Sequence, residues 1–247
     1  MIDDPLVLLV LVVTAVLTAT LSGVLGMGGG VTLLGVMTAL VPAPAVVPVH
    51  GVVQLVSNST RTLGLLRHVA WRLFFLYAPT LVLGVVAATA LWSGDRLTFL
   101  RPGIGLLLLV FLGLRRWAPV LRNPPRWVYV LLGLVVGFAS VWIGAVGPLL
   151  APFFLRDDFS PEQVIATKAA CQSLGHLLKI PAFVMLGFDF EVHAALLVTL
   201  VAAVIVGTLI GRAILGRLDR RLFERLFEAL LLLLALWLLV GAALRGG

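Results

Sequence analysis

The stretch Gly26-Met27-Gly28-Gly29-Gly30 interrupts a long apolar tract that runs from about Leu6 to Val41. Four glycines in five residues oppose a regular helix, because each costs about 1 kcal/mol relative to alanine in a helix interior. In a bilayer, such broken backbone is tolerated only where protein or a water-filled cavity satisfies its polar groups. The cluster alone leaves two interpretations open: a substrate site at an interrupted helix, or close helix packing through small residues.

A second cluster, Gly144-Ala145-Val146-Gly147-Pro148, interrupts another apolar tract, from Trp127 to Leu155. A shift of 118 positions places the first cluster on the second. The same shift pairs four polar residues of the first half with four of the second: His50 with Lys168, Gln54 with Gln172, Asn58 with His176, and Arg61 with Lys179. Interrupted segments at corresponding positions of two halves are a strong sequence indication of a transporter site.

The composition is that of a membrane protein. Of the 247 residues, 61% are hydrophobic and 12% are charged, and the mean hydropathy is +1.15, whereas soluble domains carry about 25% charged residues. We therefore expect a multi-pass protein of the inner (plasma) membrane, with the lipid bilayer as its surroundings and with an uncleaved first helix. The single Cys171 excludes an internal disulfide and a multi-cysteine metal site.

The pattern predicts an all-α integral membrane protein with two repeats of four segments, the first segment of each repeat broken at its glycine motif. The basic linker 115–126 separates the repeats, which are residues 1–114 and 127–247. Ser160 is expected to cap the helix that begins at Pro161. The eight apolar segments are about 6–41, 45–66, 72–92, 99–114, 127–155, 162–185, 192–215 and 222–244.

The arginines indicate how the two halves are oriented. If each broken segment turns back to the side from which it entered, the halves are inverted and the loop and terminal arginines divide twelve against three. The positive-inside rule then places the linker 115–126 in the cytoplasm and both termini outside. Whether each broken segment is a re-entrant hairpin or a pair of full spans stays open at this point. The net charge of +7 is explained by these loops, and no basic run with interleaved aromatics indicates nucleic-acid binding.

The two glycine motifs, the four-segment halves and the basic linker resemble the TauE/SafE sulfite exporter family, also called the four-toluene-sulfonate uptake permease family. The resemblance covers nearly the full chain. The first motif fits well, while the second has Ala145 and Val146 where glycines are usual. The resemblance implies transport of small sulfur oxyanions and sulfonates, such as sulfite, thiosulfate or sulfoacetate.

Candidate substrate-binding residues come from the breaks and from the polar residues that follow them. The candidates at the breaks are Gly28, Gly29, Gly30, Gly147 and Pro148, because a helix restarts there and its unpaired backbone amides and positive dipole end favour an anion.

Gln54 and Gln172 are expected near the midplane, either in the site or as interhelical hydrogen-bonding residues. Asn58 and His176 follow one turn later, and His176 is either a core residue or a proton carrier. Arg61 and Lys179 are expected either to snorkel toward the interfaces or to form electropositive mouths. A bulky side chain such as leucine at Gly29 or Gly147 is expected to block the site, and positive φ is expected at both glycines.

Acidic residues are confined to loops and segment ends, so a carboxylate relay across the membrane is not expected. A P-loop lysine motif and a nucleophile–base pair are also missing from the sequence, which disfavours ATP-driven transport and enzymatic activity, and no cofactor is expected. The first hypothesis is a secondary transporter, an exporter of a small anion that works by alternating access, with possible proton coupling. The alternative is a passive anion channel on the same scaffold.

The charge distribution generates a topology prediction. A cysteine introduced into the linker 115–126 should escape an impermeant thiol reagent in intact cells, because the arginine-rich side faces the cytoplasm. A cysteine introduced beside Asp189 and Glu191 should be labelled and serves as the control. Labelling of the linker cysteine would contradict the inverted arrangement.

Overall fold

A computed structural model describes residues 4–92, 122–215 and 217–243, together with isolated positions at 106, 109, 112 and 113. The predicted segment 99–114 therefore falls almost entirely outside the described residues. Within the described part the regular structure is helical, with two short 3-10 turns at Leu66–His68 and Glu191–His193. The nine α-helices described are α1 Pro5–Leu25, α2 Gly29–Leu40, α3 Ala43–Gly64, α4 Trp71–Ala90, α5 Trp127–Ile143, α6 Gly147–Phe154, α7 Pro161–Met185, α8 Ala194–Leu215 and α9 Arg220–Ala243.

Both predicted interruptions are confirmed. Helix α1 ends at Leu25 and α2 begins at Gly29, and α5 ends at Ile143 before α6 begins at Gly147. Positive φ angles at Gly26 (72°), Gly28 (88°) and Gly144 (84°) produce the breaks, and L side chains rarely adopt this conformation. With 12 and 8 residues, α2 and α6 extend about 18 and 12 Å, too short to cross a core of about 30 Å.

Helix α2 turns back along α1. At its first residue, Gly29 lies against the backbone carbonyl of Thr18 and the hydroxyl of Ser22, so closely that a Cβ atom there would collide with both. Further along, one hydrophobic cluster contains Leu11 of α1 together with Met37 of α2. The first broken segment is therefore a helical hairpin, which answers the question that the sequence left open for that segment.

By length and composition, three helices of the described part qualify as membrane spans: α1, α4, and α8 with its preceding 3-10 turn. Helices α3 and α7 have 22 and 25 residues, but their inward faces carry polar and charged side chains that lower their hydropathy. The expectation of about eight spans is thus met in part, by a helical membrane protein with three clear span candidates.

Two helix pairs pack tightly in the described structure, α1 with α8 and α4 with α5. In the first pair, Gly207 and Gly211 of α8 form a GxxxG motif against α1, and the Thr20 hydroxyl donates to the Gly207 carbonyl (3.1 Å). In the second pair, Gly133 and Gly137 of α5 form a GxxxG motif against the backbone of α4. Without glycine the backbones could not approach this closely, as in other membrane helix pairs.

Helices α3 and α7 pack against each other between these pairs, α3 also contacting α8 and α7 also contacting α4. The start of α7 confirms the predicted cap. The backbone amide of Gln163 donates to the Ser160 hydroxyl (3.3 Å), and the backbone amide of Ser160 donates to the side-chain oxygen of Gln163 (3.0 Å). This reciprocal capping box satisfies two free amides at the helix start. The register of α7 is thereby fixed before its polar residues are reached.

Arg156, in the loop between α6 and α7, ties this loop to the end of the linker 115–126. Its guanidinium donates two hydrogen bonds to the Asp158 carboxylate (2.7 and 2.9 Å) and one to the Pro124 carbonyl (2.9 Å). The hydrogen bonds with Asp158 raise the pKa of Arg156 above its ordinary value. The loop is therefore held by a permanent charge at any physiological pH.

Candidate functional site

The two helix breaks meet at a small cavity between α3 and α7. Its volume is about 20 Å³, room for about one water molecule. The first break contributes backbone from Gly26 to Val31, apart from Gly29, and the second contributes Ala145 and Gly147. The side chains that line it are those of Ser22, His50, Gln54, Arg61, Gln172 and His176.

Each break lies against one glutamine. A Cβ atom at Gly30 would lie 3.2 Å from Gln54 Oε1, and one at Gly147 would lie 3.1 Å from Gln172 Nε2. Both glycines are in the first turn of a short helix, where backbone amides lack intrahelical partners and the helix dipole is positive. The cavity therefore combines two helix N-termini with two side-chain amides, all of them capable of donating hydrogen bonds to an anion.

Arg61 is held beside this cavity by a network that uses its whole guanidinium. Its Nη1 donates to the Ser22 carbonyl at the end of α1 (2.9 Å), and its Nη2 donates to Asn58 Oδ1 (2.8 Å). Asn58 in turn donates to the Gln54 carbonyl (2.8 Å). Arg61 is 4% exposed, so the charge is fixed inside the protein.

The two lysines are also buried and also bind carbonyls at the breaks. Lys168 Nζ donates to the Gly26 carbonyl (2.7 Å), and Lys179 Nζ donates to the Gly144 carbonyl (2.6 Å). A buried ammonium is stable only when its lost hydration is replaced. Carbonyls at a helix C-terminus carry the negative end of the dipole and therefore suit a cation.

Two histidines complete the polar core. His50 Nε2 lies 2.8 Å from the Gly30 carbonyl, and the His50 and His176 ring centroids are 6.1 Å apart in an edge-on arrangement. The Nδ1 atom of each ring is buried without a hydrogen-bond partner. Each histidine thus has one ring nitrogen without a partner, and both residues line the cavity.

The charge around the cavity is positive. Arg61, Lys168 and Lys179 are buried, whereas none of the Asp and Glu side chains in the described residues is buried. Positive charge fixed in a low-dielectric interior attracts an anion strongly. The arrangement can therefore bind an anion through charge and hydrogen bonds, and it repels a free cation.

The structure brings together seven of the eleven predicted substrate-binding residues: Gly28, Gly30, Gln54, Arg61, Gly147, Gln172 and His176 line the cavity. The other four lie beside it. Gly29 packs on α1, Asn58 supports Arg61, Pro148 lines an apolar crevice between α2 and α9, and Lys179 lines a second, smaller cavity.

Two details of the sequence interpretation are wrong. Arg61 and Lys179 are 4% and 1% exposed and do not snorkel, because helix-end carbonyls inside the protein hold their charged groups. Gly29 and Gly147 do not have positive φ. Because a side chain at Gly29 would displace α2 from α1, that position reports on folding and not on the site.

Ser22, His50 and Lys168 belong to the cluster but were not among the predicted site residues. A signal for two of them was present in the sequence. His50, Gln54, Ser57 and Arg61 follow the spacing i, i+4, i+7, i+11, which keeps one face of a helix. The same spacing recurs on α7 with Lys168, Gln172, Gly175 and Lys179.

A helical, multi-pass membrane protein with two interrupted helices around an internal cationic cavity is a membrane transporter in class. The family comparison agrees: the model of the family described as "Sulfite exporter TauE/SafE" matches residues 11–238. The chain belongs to the TauE/SafE sulfite exporter family, a family of transporters and not of enzymes. Neither the curated proteins nor the solved structures include a match to this chain.

The glycine–glutamine contacts generate a test of the cavity. Gly30→Ala and Gly147→Ala should each lower anion affinity about tenfold, since overpacking a tightly packed space typically costs about 1–3 kcal/mol. Gly35→Ala is the matched control on α2, because its Cβ would make only an ordinary contact, 3.6 Å from Trp237. Affinity is measured by thermal shift of the purified protein with sulfite. Equal affinity in all three variants would remove the breaks from the site.

Proposed function

We propose that the protein is a secondary transporter that exports a small anion, with sulfite, thiosulfate or an organosulfonate as substrate. The observation that carries this proposal is the burial of three cations around the two helix breaks, while the described carboxylates all stay outside the core. Such a site has a net positive charge that a bound anion compensates. Family membership supports a sulfur oxyanion as the first substrate to test.

The anion would bind in the cavity between Gln54 and Gln172. Neutral amides from the two glutamines and from the starts of α2 and α6 would donate hydrogen bonds to the anion. The three buried cations would add a positive electrostatic potential at the cavity. Donors of this kind hold an anion without binding it too tightly to release, as transport requires. No group that needs a bound metal or cofactor enters this scheme.

Reciprocal packing supports two inverted repeats, residues 1–114 and 127–247. The first helix of each half packs on the fourth helix of the other half, as α1 on α8 and α5 on α4. The polar stripes of α3 and α7 correspond at the same shift of 118 positions. In this arrangement both termini lie on the outer side of the inner membrane and the linker lies in the cytoplasm. The two halves can then rock against each other around the shared site.

The small volume of the cavity favours alternating access over an open pore. At about 20 Å³ it holds about one water molecule, so a four-atom oxyanion binds only when the surrounding helices separate. Proteoliposomes loaded with unlabelled sulfite should therefore accumulate external ³⁵S-sulfite transiently by counterflow. Conductance without counterflow would instead establish a passive anion channel.

The glutamine pair separates a substrate site from interhelical packing. Gln54→Glu and Gln172→Glu each place a negative charge where the anion binds, and two unit charges about 4 Å apart repel by about 4 kcal/mol at an effective dielectric constant of about 20. We expect each variant to lose roughly a thousandfold in anion affinity while it still folds.

The control for this pair is Gln163→Glu, since Gln163 lies in the first turn of the same helix as Gln172 but in the capping box. Affinity and folded yield are measured for all three variants. Unchanged affinity in either test variant would remove that glutamine from the site, and loss of folded yield in both would assign the pair to packing.

We also propose that export is coupled to protons through His176. It lines the cavity, its Nδ1 is unpartnered, and it faces His50 across 6.1 Å. A proton on either ring would add positive charge beside the anion, so anion and proton would bind together. His176→Gln should remove the dependence of counterflow on an imposed pH gradient, whereas His193→Gln, in the 3-10 turn before α8, should retain it. A pH response that persists in His176→Gln would exclude this role.

A further inference from the structure

The way this chain uses lysine is unusual. Of its eighteen Lys and Arg residues only Lys168 and Lys179 are lysines, and both lie on α7. They are 0% and 1% exposed. Among the described residues neither ammonium contacts a carboxylate; each donates instead to a backbone carbonyl. Both lysines are therefore buried, and the other sixteen of the eighteen Lys and Arg positions are arginines.

The two carbonyl acceptors occupy the same place in the two glycine motifs. Gly26 follows the last residue of α1, Gly144 follows the last residue of α5, and both have positive φ. These are the half-helix C-terminal ends at the interruptions. In transporters built on broken helices, freed carbonyls and half-helix C-terminal ends coordinate Na⁺ or another coupling cation.

An ammonium suits such a position better than a guanidinium. It is a compact point charge with three donors, whereas the guanidinium is planar and forked. The contrast is visible at the end of α1, where the nearby arginine, Arg61, spreads its hydrogen bonds over Ser22, Ser57 and Asn58. Each lysine places a single compact charge on a single break carbonyl.

The surroundings of Lys179 contain further oxygen ligands. A cavity of about 10 Å³ beside it is lined by Tyr77 and Ser140. The Tyr77 hydroxyl is buried without a hydrogen-bond partner, and Ser140 donates to the Gly137 carbonyl (2.9 Å), which leaves its oxygen lone pairs available. The Tyr77 and Ser140 hydroxyls therefore add two oxygen atoms to a cavity that Lys179 also lines, while Lys179 itself donates to the Gly144 carbonyl.

We propose that Lys168 and Lys179 are built-in cations that occupy the two break positions where an alkali cation would otherwise bind. The wild-type protein then needs no sodium or potassium at the breaks, and removal of either ammonium creates a monovalent-cation site. This inference goes beyond the proposed function, because it concerns cation binding and holds for any transported anion. Its direct readout is cation binding, so its failure is distinguishable from failure to transport sulfite.

The test measures the thermal stability of the purified full chain in NaCl, KCl, LiCl or choline chloride at equal ionic strength. The wild-type midpoint should differ by less than about 1 °C among the salts, since no cation binds. Lys179→Ala should be less stable in choline and should regain about 3–5 °C in one alkali salt, with a saturable dependence on its concentration. Lys168→Ala tests the other break independently.

Lys179→Met is the matched control, because it removes the charge but fills the space, and it should be destabilised without rescue by any salt. Saturable stabilisation of the wild type by an alkali cation would overturn the proposal. Alanine variants that fold but respond equally to all four salts would also overturn it. If neither alanine variant folds, counterflow by the wild type in sodium- and potassium-free choline medium decides: equal rates support the proposal, and loss of exchange refutes it.

Discussion

Burying an ammonium or guanidinium costs several kcal/mol unless other groups replace its hydration, and this chain buries three such groups without a buried carboxylate among its described residues. The replacement comes from helix ends. Arg61, Lys168 and Lys179 each donate to a carbonyl at the end of α1 or just after α1 or α5. The breaks therefore serve two purposes at once: their C-terminal sides hold the cations, and their N-terminal sides at α2 and α6 present amides to the cavity.

This arrangement requires firm support, because a helix end that moved away would leave a bare charge in the core. The GxxxG contacts of α8 with α1 and of α5 with α4 hold the broken helices by their backbones. Helices α3 and α7 carry the polar residues, and they contact α8 and α4 respectively. Any motion that opens the cavity must keep each cation with its carbonyl or give it a new partner, such as the anion itself. Movement of whole halves satisfies this condition better than separation of single helices.

Much of this structure follows from local sequence chemistry. The breaks were predictable because clustered glycines disfavour helix, and the cap at Ser160 because a hydroxyl before Pro161 satisfies free amides. Gln54 and Gln172 were predictable as a pair because both halves have the same spacing. The positions of Arg61 and Lys179 were not, since their acceptors, Ser22 and Gly144, are 39 and 35 residues away in the sequence. For the same reason, Gly29 was predicted in the site from the sequence, whereas the packing of α2 on α1 places it against the backbone of α1.

The central claim is that an anion binds between the two breaks. The most direct measurement is anomalous diffraction from crystals of the protein with selenite, a heavier oxyanion of the same shape as sulfite. The account predicts a selenium peak within hydrogen-bonding distance of the Gln54 and Gln172 amides, with the cavity widened around it. Selenium bound only at the loop arginines, with the cavity unchanged, would contradict it.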